Sequence, residues 1–286
     1  MNTKEILSKL YKALISIVCI SIISVHMPIA GMALAEAPEA AFEGSENAQA
    51  VLTNLDYNDL RNVNVWSKEA IYKAGALDIL KGYGNRNFGR TNTLSKEEAI
   101  ALAYRASGRE ADAQKAAEEL DNARAREDKK TNAISMWSDG YLKLAADEGL
   151  ISEEDFNDAL TAGTQELSAG SFRRNAPASR QEFAFWLAKT LSLEPVYGQQ
   201  EIFNNYNDWR NADPIKIPYI EAILKNNIMS GDGNGYFRPT QPLTRQEAAQ
   251  IVSNAEKHIL PLIGMRKMTG TVESVSNSRD LSNGGS

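Results

Sequence analysis

The chain has one cysteine, Cys19, and two histidines, His26 and His258, among 286 residues. A single thiol cannot close an intrachain disulfide. Two imidazoles leave little from which to build a Ser-His-Asp triad or a multi-histidine metal site, so neither a metal nor a cofactor is expected. Positive charge is not in excess either. The formal net charge is −6, the wrong sign for a general nucleic-acid binder, which needs a basic face to neutralise phosphates. There is one long apolar run, Ala13 to Val25, too short for a comfortable membrane span. What is present is 43% hydrophobic and 24% charged, the balance of a globular protein with a sizeable core.

The first 35 residues are patterned as an export signal. Lys4, Lys9 and Lys12 precede the apolar run, and Ala33-Leu34-Ala35 gives the small-x-small sequence that a signal peptidase cuts. An uncleaved N-terminal anchor is the rival reading. Cleavage after Ala35 removes three lysines and one glutamate, taking the net charge from −6 to −8, and removes Cys19 as well. The mature chain then has no thiol nucleophile and no membrane span. Residues 36–53 are small and acidic, as in a spacer.

The remainder repeats itself. Tyr57-Asn58-Asp59 lies over Tyr206-Asn207-Asp208, an offset of 149 residues. Without a gap, Gly82-Tyr83-Gly84-Asn85 then meets Gly231-Asp232-Gly233-Asn234, and Leu94-Ser95-Lys96-Glu97-Glu98 meets Leu243-Thr244-Arg245-Gln246-Glu247. A third copy lies between: Trp137-Ser138 echoes Trp66-Ser67, and Ala178-Ser179-Arg180-Gln181-Glu182 echoes the closing motif. In it the acidic stretch Ser152 to Gly170 replaces the glycine turn, and Leu120-Asp121-Asn122 stands as its candidate opening. The units are 54–108, 109–193 (a charged linker helix from Arg109, with the repeat proper from 120) and 203–260. Past Gly264 the character changes. Residues 265–286 alternate like a strand before ending in Gly and Ser, either the start of a further β domain or a frayed tail.

Each unit predicts helix, loop, helix, so the fold class is all-α. Ser95 with Glu98, Ser179 with Glu182 and Thr244 with Glu247 each form a capping-box pattern, in which two otherwise unpaired backbone N–H groups are satisfied reciprocally. Directly after each cap comes a cation: Lys96, Arg180 and Arg245. The helix dipole disfavours a cation there. Two readings stay open. Either the cation and the helix N-terminus cradle an external carboxylate or phosphate, or the cation folds onto a carboxylate of the protein. The glycine turns carry a similar pair of readings: Gly82, Gly84, Gly231 and Gly233, with Asp232, either admit a ligand to the backbone or only make a tight connection. Asp232 to Tyr236 does not suit calcium, because Phe237 and Leu243 stand where the loop needs glycine and glutamate. Trp66, Trp137, Trp209 and Tyr219 are candidates for stacking on sugar rings or for the core, and Trp186 for the core.

The run Ile228 to Pro239, followed by Leu243-Thr244-Arg245-Gln246-Glu247, resembles the S-layer homology domain. Three tandem copies behind a signal peptide are also typical of that family. The third unit matches best. The first has Lys96 for arginine and Gly89-Arg90 for Arg-Pro, and the second lacks the glycine loop. The resemblance implies a pseudo-threefold helical spindle whose inter-repeat grooves bind secondary cell-wall polysaccharide, such as glycans ending in pyruvylated N-acetylmannosamine. The ketal carboxylate of such a glycan would suit Lys96, Arg180 and Arg245, with Trp66, Trp137, Tyr219, Gly82, Gly84, Gly231, Asp232 and Gly233 around it. The expectation is a secreted, non-enzymatic anchor at the cell wall. Self-association into a surface lattice and an exported glycan-acting enzyme using Glu98 and Glu247 are the alternatives.

Overall fold

The computed structural model describes residues 57–127 (apart from 62 and 64), 136–161, 168, 170–198 and 200–265. The export signal, the spacer and the strand-like tail beyond Met265 lie outside the described residues. The fold is all-α: nine α-helices and three short 3₁₀ turns are present among the described residues, with no sheet. None of these helices is long and apolar enough to cross a membrane. Two compact units divide the chain, one running to Phe88 and including Met265, the other Gly89–Gly264. The first repeat is thereby split, its first helix in one unit and its capped helix in the other.

In the smaller unit the 3₁₀ turn Asn58–Leu60 precedes α1 (Lys68–Ala76). Tyr57 and Asp59 hold the loop that follows α1. The Gly82 N–H donates to the Tyr57 hydroxyl at 3.1 Å and the Phe88 N–H to the Asp59 carboxylate at 2.9 Å. A Cβ on Gly82 would lie 2.5 Å from the Tyr57 ring, so glycine is required there for close packing.

The larger unit holds α2 (Lys96–Ala106), α3 (Glu110–Glu127), α4 (Asp139–Asp147), α5 (Glu153–Thr161), α6 (Arg180–Thr190), α7 (Ile217–Lys225), α8 (Arg245–Asn254) and α9 (Glu256–Leu262). The three predicted capping boxes are all formed, at the starts of α2, α6 and α8. The residues just before the caps tie these helices together. The Leu94 N–H donates to the Leu243 carbonyl, Leu243 to Ala178, and Ala178 back to Leu94, at 2.8, 2.9 and 2.8 Å. This closed ring of backbone bonds gives the three capped helices a common threefold origin. Leu94, Ala178 and Leu243 are fully buried in it, and so are Ala99, Phe183 and Ala248, one turn into each helix. Those are the hydrophobic-staple positions, so apolar burial fixes the angle at which the chain enters each helix. α2 and α6 pack against each other and bury residues on every side, as a helix with apolar residues all round must. Trp186 is buried, its indole N–H donating to the Leu150 carbonyl at 3.1 Å.

The charged segment after Arg109 is a docked helix. α3 buries Ala113 and Ala116 and packs on α4, so closely that a Cβ on Gly140 would fall 2.0 Å from the Ala113 carbonyl. The middle repeat also differs from its expected layout. Asp121 stays on α3 beside Arg124 and opens nothing. The counterpart of Tyr57-Asn58-Asp59 is Phe156-Asn157-Asp158 on α5: the Asp158 carboxylate accepts the Phe172 N–H at 3.0 Å, as Asp59 accepts Phe88 and Asp208 accepts Phe237.

Candidate functional site

The motif cations form a second ring outside the backbone one. Lys96 pairs with Glu182 at 2.9 Å, Arg180 with Glu247 at 3.9 Å and Arg245 with Glu98 at 3.0 Å. Each cation thus meets the capping-box glutamate of another helix, which also accepts its own cap's N–H at 2.8 Å. Burial opposes ionisation of Glu182, but Ser179 and Lys96 outweigh it and hold the carboxyl below its usual range. Burial pulls the Arg180 guanidinium below its ordinary value, with Glu247 acting against that.

The helix N-termini are occupied as well. In α2, the N–H groups of Lys96 and Glu97 donate to the Ala176 and Arg174 carbonyls, and those of α6 and α8 do likewise to Gln241 and Pro239 and to Asn92 and Arg90. The cap hydroxyl takes the third N–H of each helix. The first three donors of every capped helix are therefore satisfied within the protein, and the anion in reach of Lys96, Arg180 and Arg245 is the protein's own carboxylate. Arg245 is only 2% exposed. Arg180 also donates to the Phe237 and Ser230 carbonyls, and Lys96 lies over the Phe172 ring.

The glycine turns have internal explanations too. Gly231 donates to the Tyr206 hydroxyl at 3.0 Å, and a Cβ there would lie 2.3 Å from the Tyr206 ring, so the ring takes the space next to Gly231 as Tyr57 does next to Gly82. Gly84 and Gly233 have open space and positive φ, +90° and +80°, which is what the turn itself requires. The Asp232 carboxylate accepts the Asn234 and Tyr236 N–H groups and pairs with Arg238. Those bonds, the Asn234 N–H foremost, hold it below the usual carboxylate range.

Two of the candidate aromatics remain open to solvent. Trp66 and Trp137 are 64% and 54% exposed, and Ile215 stands at the same place in the third repeat, just ahead of its first helix. Along the α2–α4 packing, Trp137 meets Tyr141 edge-on at 6.2 Å, and the Arg105 guanidinium lies 5.9 Å from the Trp137 ring centre and 5.3 Å from that of Tyr141. Along the α6–α7 packing, half-buried Tyr219 meets Phe185 at 4.9 Å, with the Lys189 and Lys216 ammonium groups at 5.4 and 5.8 Å from Phe185. The two places correspond: Arg105 and Lys189 each stand ten residues after a cap serine, and Tyr141 and Tyr219 each stand four residues after Trp137 and Ile215. Each place sets a cation beside an aromatic face, an arrangement suited to a sugar carrying negative charge. Arg105, Tyr141 and Lys189 were not singled out by sequence reasoning. Counting on from the caps to the last turn of each helix would have found the two cations.

A second charged cluster is structural. Arg174, 3% exposed, bonds Asp139 at 2.8 Å and Glu97 at 2.7 Å and also donates to the Ser138 hydroxyl.

Capped helices tied into a ring, with a cation beside an aromatic face along two of their packed pairs, define a helical repeat module. Residues 56–100 and 205–249, in the first and third repeats, match the S-layer homology domain. It is also 22% identical over 217 residues to the surface-layer 125 kDa protein of Lysinibacillus sphaericus; the match takes in 73% of this chain and 16% of that relative. At the level of the family, these likenesses support surface or cell-wall anchoring.

Proposed function

We propose that the chain anchors a secreted protein non-covalently to the bacterial cell wall by binding secondary cell-wall polysaccharide, with a pyruvylated sugar as the recognised unit, in the grooves between neighbouring repeats. The middle repeat serves as a third member of the set. The observation that carries the reading is the pairing of exposed Trp137 with Arg105 over Tyr141, repeated in kind by Lys189 and Lys216 with Tyr219 and Phe185. An aromatic face takes the apolar side of a sugar ring, and a cation beside it takes a ketal carboxylate at short range despite the negative net charge. In this reading Lys96, Arg180 and Arg245 hold the repeats in register, and the more exposed groups touch the glycan. Glu98 and Glu247 are committed to caps and ion pairs, which speaks against using them as a hydrolase's acid and base.

The test is co-sedimentation of the purified protein with cell-wall sacculi before and after extraction of the secondary polymer, with Lys189→Ala alongside. Binding should disappear after extraction and weaken about tenfold, or ~1.4 kcal/mol, in the variant. Undiminished binding to extracted sacculi would overturn the proposal. So would sheets or filaments forming without glycan in a protein that ignores sacculi.

A further inference from the structure

The α2–α4 groove already holds a carboxylate. Glu110, the first residue of α3, accepts a hydrogen bond from the Arg105 guanidinium at 3.0 Å and another from the Tyr141 hydroxyl. Arg105 also donates to the Tyr141 hydroxyl at 3.0 Å, so guanidinium, phenol and carboxylate make one connected cluster beside the exposed indole of Trp137. Tyr141 is buried beneath this arrangement, while the Glu110 side chain is 46% exposed and Arg105 29%. An acidic sugar stacked on Trp137 would use the same two donors that Glu110 now uses.

The α6–α7 groove differs at this point. Lys189 there donates to the backbone carbonyls of Glu148 and Gly149, at 3.3 and 3.0 Å, and among the described residues no carboxylate pairs with it. Neutral carbonyls leave the ammonium charge uncompensated, whereas Glu110 cancels that of Arg105. The two places correspond in register but not in charge.

We infer that Glu110 is a built-in occupant of the carboxylate position in the α2–α4 groove: that groove accepts an acidic sugar only when the Glu110 side chain swings out, and the α6–α7 groove is the one available at rest. The inference rests on the proposed glycan binding and adds to it a residue that sets how many grooves work. An exposed ion pair of this kind is weakly held, so a ligand with a well-placed carboxylate can displace it. Because the Arg105–Glu110 pair is open to solvent, the occupancy of this position by Glu110 also falls with salt, as screened pairs do.

The experiment is calorimetric titration of the mature full-length chain with the methyl glycoside of pyruvylated N-acetylmannosamine, comparing the natural protein with Glu110→Gln and Glu110→Ala. Two variants are read together, with melting curves, so that the result does not depend on the folding of one. Removing the charge should add one glycoside bound per chain, or tighten the weaker phase about tenfold. Adding Arg105→Ala to Glu110→Gln should abolish the gain and leave the remaining binding intact. Unchanged stoichiometry and affinity in both single variants, with binding by the natural protein still present, would overturn the inference alone. Absence of glycoside binding in all three proteins would overturn both this inference and the reading on which it rests.

Discussion

The middle and third repeats reach the same place in the ring by different routes. In the third, Tyr206 and Asp208 precede the first helix of the repeat and brace the loop that follows it, Tyr206 against Gly231 and Asp208 against the Phe237 and Arg238 N–H groups. In the middle repeat the brace comes after the first helix, on α5, where Phe156 lacks the hydroxyl and Asp158 alone carries the bond to Phe172. Where the third repeat has Pro239, the middle one has Arg174, buried among Asp139, Glu97 and Ser138. The ring position and its capping box are therefore the constant part of the repeat, and the path of the chain to them is the variable part. The S-layer homology domain matches fall on the two repeats that share one path.

The largest effect should come from the feature that separates the middle repeat from the third. Arg174→Ala removes the buried guanidinium that Asp139 and Glu97 share, leaving Asp139 with Arg124 and Glu97 with the Ser138 hydroxyl, and should cost about 3 kcal/mol in urea unfolding. Pro239→Ala, at the corresponding place, should cost less than about 1 kcal/mol. Similar small losses at both would erase the distinction. Next in size, Gly231→Ala drives a methyl into the Tyr206 ring and should cost about 1–3 kcal/mol by thermal melting. Gly233→Ala meets no atom and should lose only about 1–2 kcal/mol, through its positive φ. Ser179→Ala and Thr244→Ala should each cost about 1 kcal/mol, and should match each other, because the caps are the shared element. A large inequality would mean that the two caps are not equivalent.

The smallest effect is in the pH dependence. Glu182 is held below its ordinary range, so its contribution to stability is complete above about pH 4.3 and is lost as pH falls through the depressed value. Glu182→Gln should flatten the acid limb of the stability curve without altering the limb near neutrality. An unchanged acid limb would show that the Lys96–Glu182 link carries no weight.

The all-α class and the three capped helices were legible because their signals are local. A cap serine and a glutamate three residues on declare themselves in four letters. The partners of the cations were not legible, since Arg245 and Glu98 stand 147 residues apart and no short pattern joins them. The sequence left two readings of Lys96, Arg180 and Arg245 open, and folding brings the capping glutamates within reach. Phe156-Asn157-Asp158 was not legible because it follows the first helix of its repeat, whereas its counterparts precede theirs. α3 reads as a solvated segment because its charges outnumber the two alanines, Ala113 and Ala116, that dock it. Trp137 shows the opposite limit: its aromatic character was visible, but only its exposure separates a groove wall from a core residue.

The central claim is that an anionic wall glycan is the ligand. The most direct test is a titration of the purified protein with isolated secondary polymer, intact and after mild acid removal of its pyruvate ketals. The account predicts saturable binding to the intact polymer, weakened by added salt, and its loss once the ketal carboxylates are gone. Equal binding to both polymers would contradict it.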